Sequence, residues 1–160
     1  MQETINQEWV SRLAEELLRE IMQQMGGIQL KEVPDLPKRF GQKQLGIVCG
    51  ETTGDFQIRM RLEAENALFV RLAGNMIGEQ PKDQQEVEDY ATEVFNVVCG
   101  RFLSKLYDRT GKKARFLPPT YEQPPGTTPL CAGNQVNSVK FISDSDEGAI
   151  FAWTLASQRV

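Results

Sequence analysis

The most informative feature of this 160-residue chain is a residue that it lacks, because it contains no histidine. This absence excludes the Ser-His-Asp and Cys-His nucleophile systems, the HExxH metal site and the usual general base near neutral pH. A glycine-rich phosphate loop of the GxxxxGK[ST] type is also missing. Any chemistry of this chain must therefore depend on carboxylates, amides and the positioning of reactants.

Cysteine is scarce, with three widely spaced residues at positions 49, 99 and 131. The sequence has no CxxC pair, so neither a zinc site nor a redox-active dithiol is indicated. We predict that Cys49, Cys99 and Cys131 are buried, unreactive thiols.

The chain also lacks an excess of basic residues, since its net charge is -4. This charge gives no electrostatic basis for binding nucleic acid or an anionic membrane. The apolar runs are too short to span a bilayer, and the acidic, polar start MQETINQEW is unlike a signal peptide. We therefore expect a cytoplasmic protein, with residues 1–160 forming one domain.

Hydrophobic periodicity predicts the elements of the first half of the chain. A capping box at Thr4–Gln7 and apolar residues at helical spacing predict a helix that ends at Gly26-Gly27. A hairpin turn is expected at Thr53-Gly54-Asp55. The predicted strands are Ile28–Val33, Leu45–Cys49 and Phe56–Leu62.

The second half begins with two helices. The first runs from Ala64 to Ile77 and ends at Gly78, and the second runs from an Asp83 cap to about Tyr107. A loop rich in Pro, Gly and Thr is expected at 123–134. The extended segments are Ala114–Leu117, Val136–Ile142 and Ala149–Leu155.

The predicted order is helix, three strands, two helices and three strands. Strands joined by short turns indicate a mainly antiparallel β-sheet, and amphipathic helices need a sheet face to cover. We therefore predict an α+β fold with helices packed on one face of the sheet and two long helices at its centre.

The longest predicted helix has two opposite faces at about 100° per residue. Its core face is predicted to comprise Val87, Ala91, Val94, Val98 and Phe102. Asp89, Glu93, Asn96 and Gly100, which we call the outer strip, fall within roughly one-sixth of the circumference on the other side. Asparagine is a weak helix former, and glycine costs about 1 kcal/mol relative to alanine.

Two interpretations of the outer strip are open at this point. Charged and polar residues normally occupy the solvated face of a helix, which would explain Glu93 and Asn96 without a function. Gly100 favours a functional surface, because it removes a side chain where the backbone of a partner could approach closely.

The outer strip resembles the signature of the CheC/CheX/FliY phosphatases of bacterial chemotaxis. That signature is matched by Asp89-x3-Glu93-x2-Asn96, followed after 22 residues by Pro119. An ExxN pattern alone is common, and the distant proline makes the match more specific. The resemblance extends from about Ile5 to Leu155, and a single helix of this kind is closer to CheX than to CheC, which has two sites.

A second ExxN pattern occurs at Glu63-Ala64-Glu65-Asn66. Its upstream position is Arg59, and its downstream position is Asp89 where the signature has proline. We interpret Glu63 and Asn66 as residues at the start of a helix, and the sequence thus predicts one site.

The resemblance implies an enzyme of two-component signalling, a hydrolase that removes the phosphoryl group from the aspartate of a CheY-like response regulator. It assigns Asn96 to orienting the attacking water and Glu93 to pairing with the active-site lysine of the regulator. Mg²⁺ would be held by the regulator, so no cofactor or metal site is expected in this chain.

The resemblance gives Asp89 and Pro119 supporting roles. Asp89 would stabilise the helix or its interface. Gly100 is outside the signature, and its missing side chain would provide clearance for the partner. Pro119 would fix a loop near the site, although a plain strand terminator explains it equally well.

Two other functions remain open for the same fold. One is a non-catalytic module that binds a regulator, and the other is a component of a larger assembly, as in flagellar switch proteins. The resemblance also implies a homodimer.

Overall fold

Three helices and seven strands form an α+β structure in residues 7–123 and 137–155, the part of the chain that the computed structural model describes. The helices are α1 (Gln7–Gly26), α2 (Asn66–Ile77) and α3 (Gln84–Thr110), with a short 3₁₀ helix at Lys38–Gln42. The strands are β1 (Leu30–Val33), β2 (Leu45–Gly54), β3 (Ile58–Glu65), β4 (Ala114–Phe116), β5 (Thr120–Glu122), β6 (Asn137–Ser143) and β7 (Gly148–Leu155). The predicted cap at Thr4, Cys131, Val136 and nearly all of the 123–134 loop lie outside the described residues.

All of these strands belong to one antiparallel sheet. Its order is β1-β6-β7-β3-β2, and both β4 and β5 pair with the outer edge of β2. The short β2–β3 and β6–β7 connections join strands that are adjacent in the sheet, as hairpins do. The predicted α+β class with a mainly antiparallel sheet is therefore confirmed.

The helices cover one face of the sheet. Met60 pairs with Trp153 and Leu62 with Phe151, and all four side chains are buried in the same core as the apolar faces of the helices. A smaller cluster around Phe40, supported by Leu45 and Ile150, is separate from that core. Within the described residues, no helix is long and apolar enough to cross a membrane.

The outer edge of β2 differs from the prediction, which contained no strand at Thr120–Glu122. Thr52 pairs with Phe116 and Cys49 with Thr120, so two residues of β2 face three residues of the opposite segment. Pro118-Pro119 lies in this bulge, where the missing proline N–H groups interrupt the hydrogen-bonded ladder. β4 and β5 are thus two halves of one edge strand that the prolines divide.

Two further boundaries were predicted wrongly. β3 continues to Glu65, where a helix was expected from Ala64, because Glu65 pairs with Leu45 on β2 and Ala64 pairs with Ala149 on β7. β2 continues to Gly54, inside the expected hairpin turn, because Gly54 pairs with Ala114. In both places strand pairing overrides the local preference of the sequence.

The predicted ends of α1 and α2 and the predicted cap of α3 are confirmed, whereas α3 extends to Thr110, beyond the predicted end at about Tyr107. Gly27, Gly78 and Gly111 follow α1, α2 and α3 with positive φ angles of 62°, 89° and 72°. At the start of α3, the Asp83 side chain accepts a hydrogen bond of 2.9 Å from the backbone N–H of Glu86. This bond satisfies one of the free N–H groups of the first turn.

We predict that Asp83→Ala lowers the free energy of unfolding by about 1 kcal/mol, because the N-cap hydrogen bond is lost. Urea denaturation measures the change. Lys82→Ala is the control, since Lys82 is exposed and precedes the cap. Equal stability of the Asp83→Ala variant and the wild-type protein would contradict the assignment of the cap.

Candidate functional site

The outer strip lies along the solvent-facing side of α3. The opposite side of this helix is buried in the core by Val87, Ala91, Val94, Val98 and Phe102. Asp89, Glu93, Asn96 and Gly100 are all exposed. The structure therefore brings four of the five predicted site residues onto one line of a single rigid helix.

Glu93 and Asn96 are separated by a rise of about 4.5 Å along the helix axis. Both side chains are exposed. Neither forms a hydrogen bond or an ion pair with another residue in the described part of the chain. A carboxylate and an amide are thus presented side by side to an incoming molecule.

Asp89 differs from these two residues because its side chain forms a hydrogen bond within its own helix. Its Oδ1 accepts a hydrogen bond of 2.9 Å from Nε2 of Gln85, one turn earlier. The hydroxyl of Thr92 also donates to the backbone oxygen of Asp89 at 2.9 Å. These contacts agree with a supporting role for Asp89 at the start of the strip.

Gly100 has no steric reason to be glycine within the described structure. A Cβ atom added at this position would meet no atom within 4 Å. Glycine in an exposed helix interior costs about 1 kcal/mol relative to alanine. Packing within the described residues therefore does not explain glycine at this position.

Pro119 lies beside α3 and not on its outer strip. It is half-buried in the bulge between β4 and β5, and both of these strands pack against α3. The preceding Leu117 donates its N–H to the oxygen of Glu51 at 2.9 Å, which holds the divided edge close to β2. The structure thus gives Pro119 the position of a strand interruption next to the helix.

A polar network anchors the first turn of α3. The amides of Asn66 and Gln84 exchange hydrogen bonds of 3.3 and 3.1 Å, and the Tyr121 hydroxyl donates to Oδ1 of Asn66 at 3.1 Å. Burial, reinforced by the nearby Glu88 carboxylate, raises the pKa of Tyr121 to about 12, so its hydroxyl remains a donor at neutral pH. The network links α2, α3 and β5 below the outer strip.

The middle of α3 packs closely against β2. A Cβ atom at Gly50 would lie 3.0 Å from Cε2 of Phe95 and 3.6 Å from Sγ of Cys99. A larger residue at position 50 would therefore press against the buried side of the helix. Burial also raises the pKa of the Cys99 thiol, which agrees with the predicted unreactive cysteine, whereas Cys49 is only half-buried.

The second ExxN pattern does not form a second exposed pair. Glu63 is fully buried in β3, so its predicted position at the start of a helix is wrong. Asn66 is the first residue of α2, as predicted, and its side chain belongs to the network with Gln84 and Tyr121.

The outer strip follows the convex, solvent-facing side of a helix. A cavity on the sheet face away from the helices is lined by residues such as Cys49, Arg61, Pro118 and Ala152, and none of the outer strip contributes to it. Across the described ranges, no group of three potential metal-ligating side chains occurs. The outer strip is thus open to contact with another molecule.

One exposed residue on this side of α3 was not predicted. Tyr107, with 49% of its surface exposed, lies 11 residues after Asn96, about three helical turns further along the same face. The prediction used Tyr107 only to mark the end of the helix. Its spacing from Asn96 was the signal that could have identified it.

The family model described as "Chemotaxis phosphatase CheX" matches residues 47–141, more than half of the chain. This range contains all of α3 and Pro119. No curated protein matches the chain at a significant level.

Several solved structures share the fold. CheX from Vibrio vulnificus has 18% sequence identity and a TM-score of 0.74, with 96% of this chain and 100% of that chain covered. CheX in the CheX-CheY-BeF3-Mg²⁺ complex from Borrelia burgdorferi has 15% identity and a TM-score of 0.73, covering 92% and 98% of the two chains. FliY from Thermotoga maritima has 14% identity and a TM-score of 0.62, covering 97% and 93%. With the family match, this architecture identifies the chain as a member of the CheX family of chemotaxis phosphatases.

Proposed function

We propose that this protein hydrolyses the aspartyl phosphate of a CheY-like response regulator by inserting Glu93 and Asn96 into the active site of the regulator. The single observation that best supports the proposal is the exposure of both side chains on one line of α3 in a chain of the CheX family. The partner is a phosphorylated receiver domain, and the protein acts in the cytoplasm, where such regulators are found.

Asn96 orients the attacking water in this proposal. Its amide both accepts and donates hydrogen bonds, so it can fix the direction of a water molecule. The amide is neutral and therefore adds no repulsion toward a negatively charged phosphoryl group. Phosphoryl transfer passes through a loose transition state, in which positioning and electrostatics supply most of the catalysis.

The reaction balances without a catalytic base in this chain. The water oxygen attacks phosphorus in line with the bond to the aspartate oxygen. That bond breaks with its electron pair on the aspartate, which leaves as a carboxylate. The protons of the water remain on the phosphate or pass to solvent. The acyl phosphate already has a good leaving group, so the contribution of Asn96 is the placement of the nucleophile.

Glu93 sets the docking register by pairing with the active-site lysine of the regulator. The Glu93 carboxylate has no ion-pair partner in the described residues, so it can form this contact without breaking another. Asp89 supports the first part of the strip through Gln85. Pro119 fixes the edge next to α3, and Mg²⁺ bound by the regulator supplies charge neutralisation at the phosphoryl group.

The alternatives have distinct experimental signatures. A non-catalytic binding module would capture the phosphorylated regulator without shortening the lifetime of its phosphate. An assembly component would form a stable large complex without turnover. Homodimer formation remains a prediction, and analytical ultracentrifugation measures it directly. A screen of phosphorylated receiver domains for accelerated phosphate loss tests the proposed function itself.

We predict that Asn96→Ala lowers the stimulated rate of phosphate loss by about 100-fold, the scale of removing one transition-state contact. The free energy of unfolding should hardly change, because Asn96 is exposed. Release of inorganic phosphate from a phosphorylated receiver measures the rate. Gln29→Ala is the matched control, because it removes an exposed amide between α1 and β1, at the opposite edge of the sheet from β4. Full activity of the Asn96→Ala variant would refute the assigned role.

We predict that Glu93→Gln raises the KM for the phosphorylated receiver about tenfold, because the charge that pairs with the lysine is lost at an interface. The kcat should change much less. Glu16→Gln on α1 makes the same change in net charge at an exposed position without a predicted role. A fall in kcat at unchanged KM would show that Glu93 does not act through docking.

We predict that Gly100→Leu stabilises the fold by roughly 0.5–1 kcal/mol, since leucine is a far better helix former than glycine. The same substitution should raise the KM, because the added side chain occupies the clearance for the partner. Thermal denaturation and steady-state kinetics measure the two effects. Gln23→Leu is the control for adding a leucine to an exposed helical position. Higher stability with an unchanged KM would exclude a close approach at Gly100.

A further inference from the structure

The outer strip continues beyond Gly100 as an apolar surface. At about 100° per residue, Leu103 and Tyr107 point within roughly 20° of the direction of Asn96. Leu103 is half-buried and packs against the core, whereas Tyr107 has 49% of its surface exposed. These two residues are four positions apart, which makes them neighbours on the surface of a helix.

Tyr107 has no evident role in holding the described structure together. The aromatic contacts of the described residues join Phe56 to Phe102 and Phe69 to Tyr121, and Arg109 lies over the ring of Trp9. None of these contacts includes Tyr107. Single exposed apolar residues are common, but this one is aligned with the proposed catalytic pair and with Gly100. Its alignment is the feature that needs an explanation.

The distance along the helix matches the size of a protein interface. A partner surface of about 800 Å² corresponds to a disc with a radius of about 16 Å. The rise from Asn96 to Tyr107 is about 16.5 Å. The rim of an interface of this size centred on Asn96 therefore falls close to Tyr107, and tyrosine is enriched among the residues that dominate interface energies.

The basic residues in the second half of α3 lie on other sides of the helix. At about 100° per residue, Arg101, Lys105 and Arg109 point about 140° or more away from the direction of Asn96. The contact available beyond Gly100 on the side of Asn96 is therefore apolar and not ionic.

We propose that Tyr107, supported by Leu103, is a second contact for the phosphorylated receiver domain and restricts which receivers are accepted. This inference rests on the proposed function and adds a specificity-determining surface to it. The complementary receiver has an apolar recess for Tyr107 beside its phosphorylation site. Gly100 leaves room between the catalytic contact and this second contact.

Tyr107→Ala should raise the KM for the accepted receiver about tenfold, equivalent to about 1.4 kcal/mol of binding free energy. The kcat should stay within about twofold, because Tyr107 lies about 16.5 Å from Asn96 and does not touch the reacting atoms. Initial rates of phosphate loss at varied receiver concentrations separate the two constants. Val70→Ala is the matched control, since Val70 on α2 is also an exposed apolar residue, at 37%.

Lys105→Glu is a second control, because Lys105 is exposed but points to the other side of α3 from Asn96 and Tyr107. This variant should leave the KM for the same receiver unchanged. A larger rise in the KM for Lys105→Glu than for Tyr107→Ala would overturn the assigned contact. Sedimentation of each variant shows whether the surface instead joins two copies of this chain.

The possible outcomes separate this inference from the proposed function. If the wild-type protein accelerates phosphate loss and Tyr107→Ala has an unchanged KM, the second contact is wrong and the proposed function stands. If the wild-type protein has no activity, the second contact is tested by the affinity of the protein for a CheY-type receiver loaded with beryllium trifluoride and Mg²⁺. Weaker binding by Tyr107→Ala supports the contact, whereas equal or absent binding overturns it. A change in self-association without a change in KM also overturns it.

Discussion

The burial of one side of α3 is the constraint on which the rest of the candidate site depends. Successive residues of a helix are related by about 100°, so the side that packs into the core determines what the opposite side presents. Burying each valine or phenylalanine side chain of this stripe contributes about 1.5–3 kcal/mol. Rotation by one residue would expose part of the stripe and turn Asn96 toward the flank of the helix. The direction of Asn96 is therefore set by the core.

Contacts at the ends and flanks of α3 set its position along the axis. The network of Asn66, Gln84 and Tyr121 holds the first turn against α2 and β5. On the side of α1, Nη1 of Arg101 lies 3.8 Å from Oε1 of Glu20. These partners belong to different elements, so sliding α3 would break several contacts together. A site that must place a water molecule accurately benefits from this kind of fixed support.

The sequence predicted this helix better than it predicted the sheet, for a physical reason. Helical periodicity is local, so the buried and outer faces of α3, including Asn96, followed from spacing alone. Strands are defined by partners distant in the chain. β5 is three residues long and follows Pro118-Pro119, so only its pairing with β2 reveals it. Likewise Glu65 was assigned to a helix because its pairing with Leu45 could not be read from local preferences.

The placement of the candidate residues on a convex surface changes how specificity can arise. Pocket enzymes enclose a substrate and select it by shape. Here Glu93 is exposed, so the proposed ion pair would form only when a partner removes both groups from water, and its net energy would be modest. In the proposed complex, selection would then depend on the surface around the pair. The side chains that share the direction of Asn96 include charged Asp89 toward the start of α3 and apolar Tyr107 toward its end. A receiver docked in the reverse orientation would press its apolar recess against Asp89, and burying that carboxylate without a partner costs free energy. The order of these two residues along α3 would therefore favour one docking orientation.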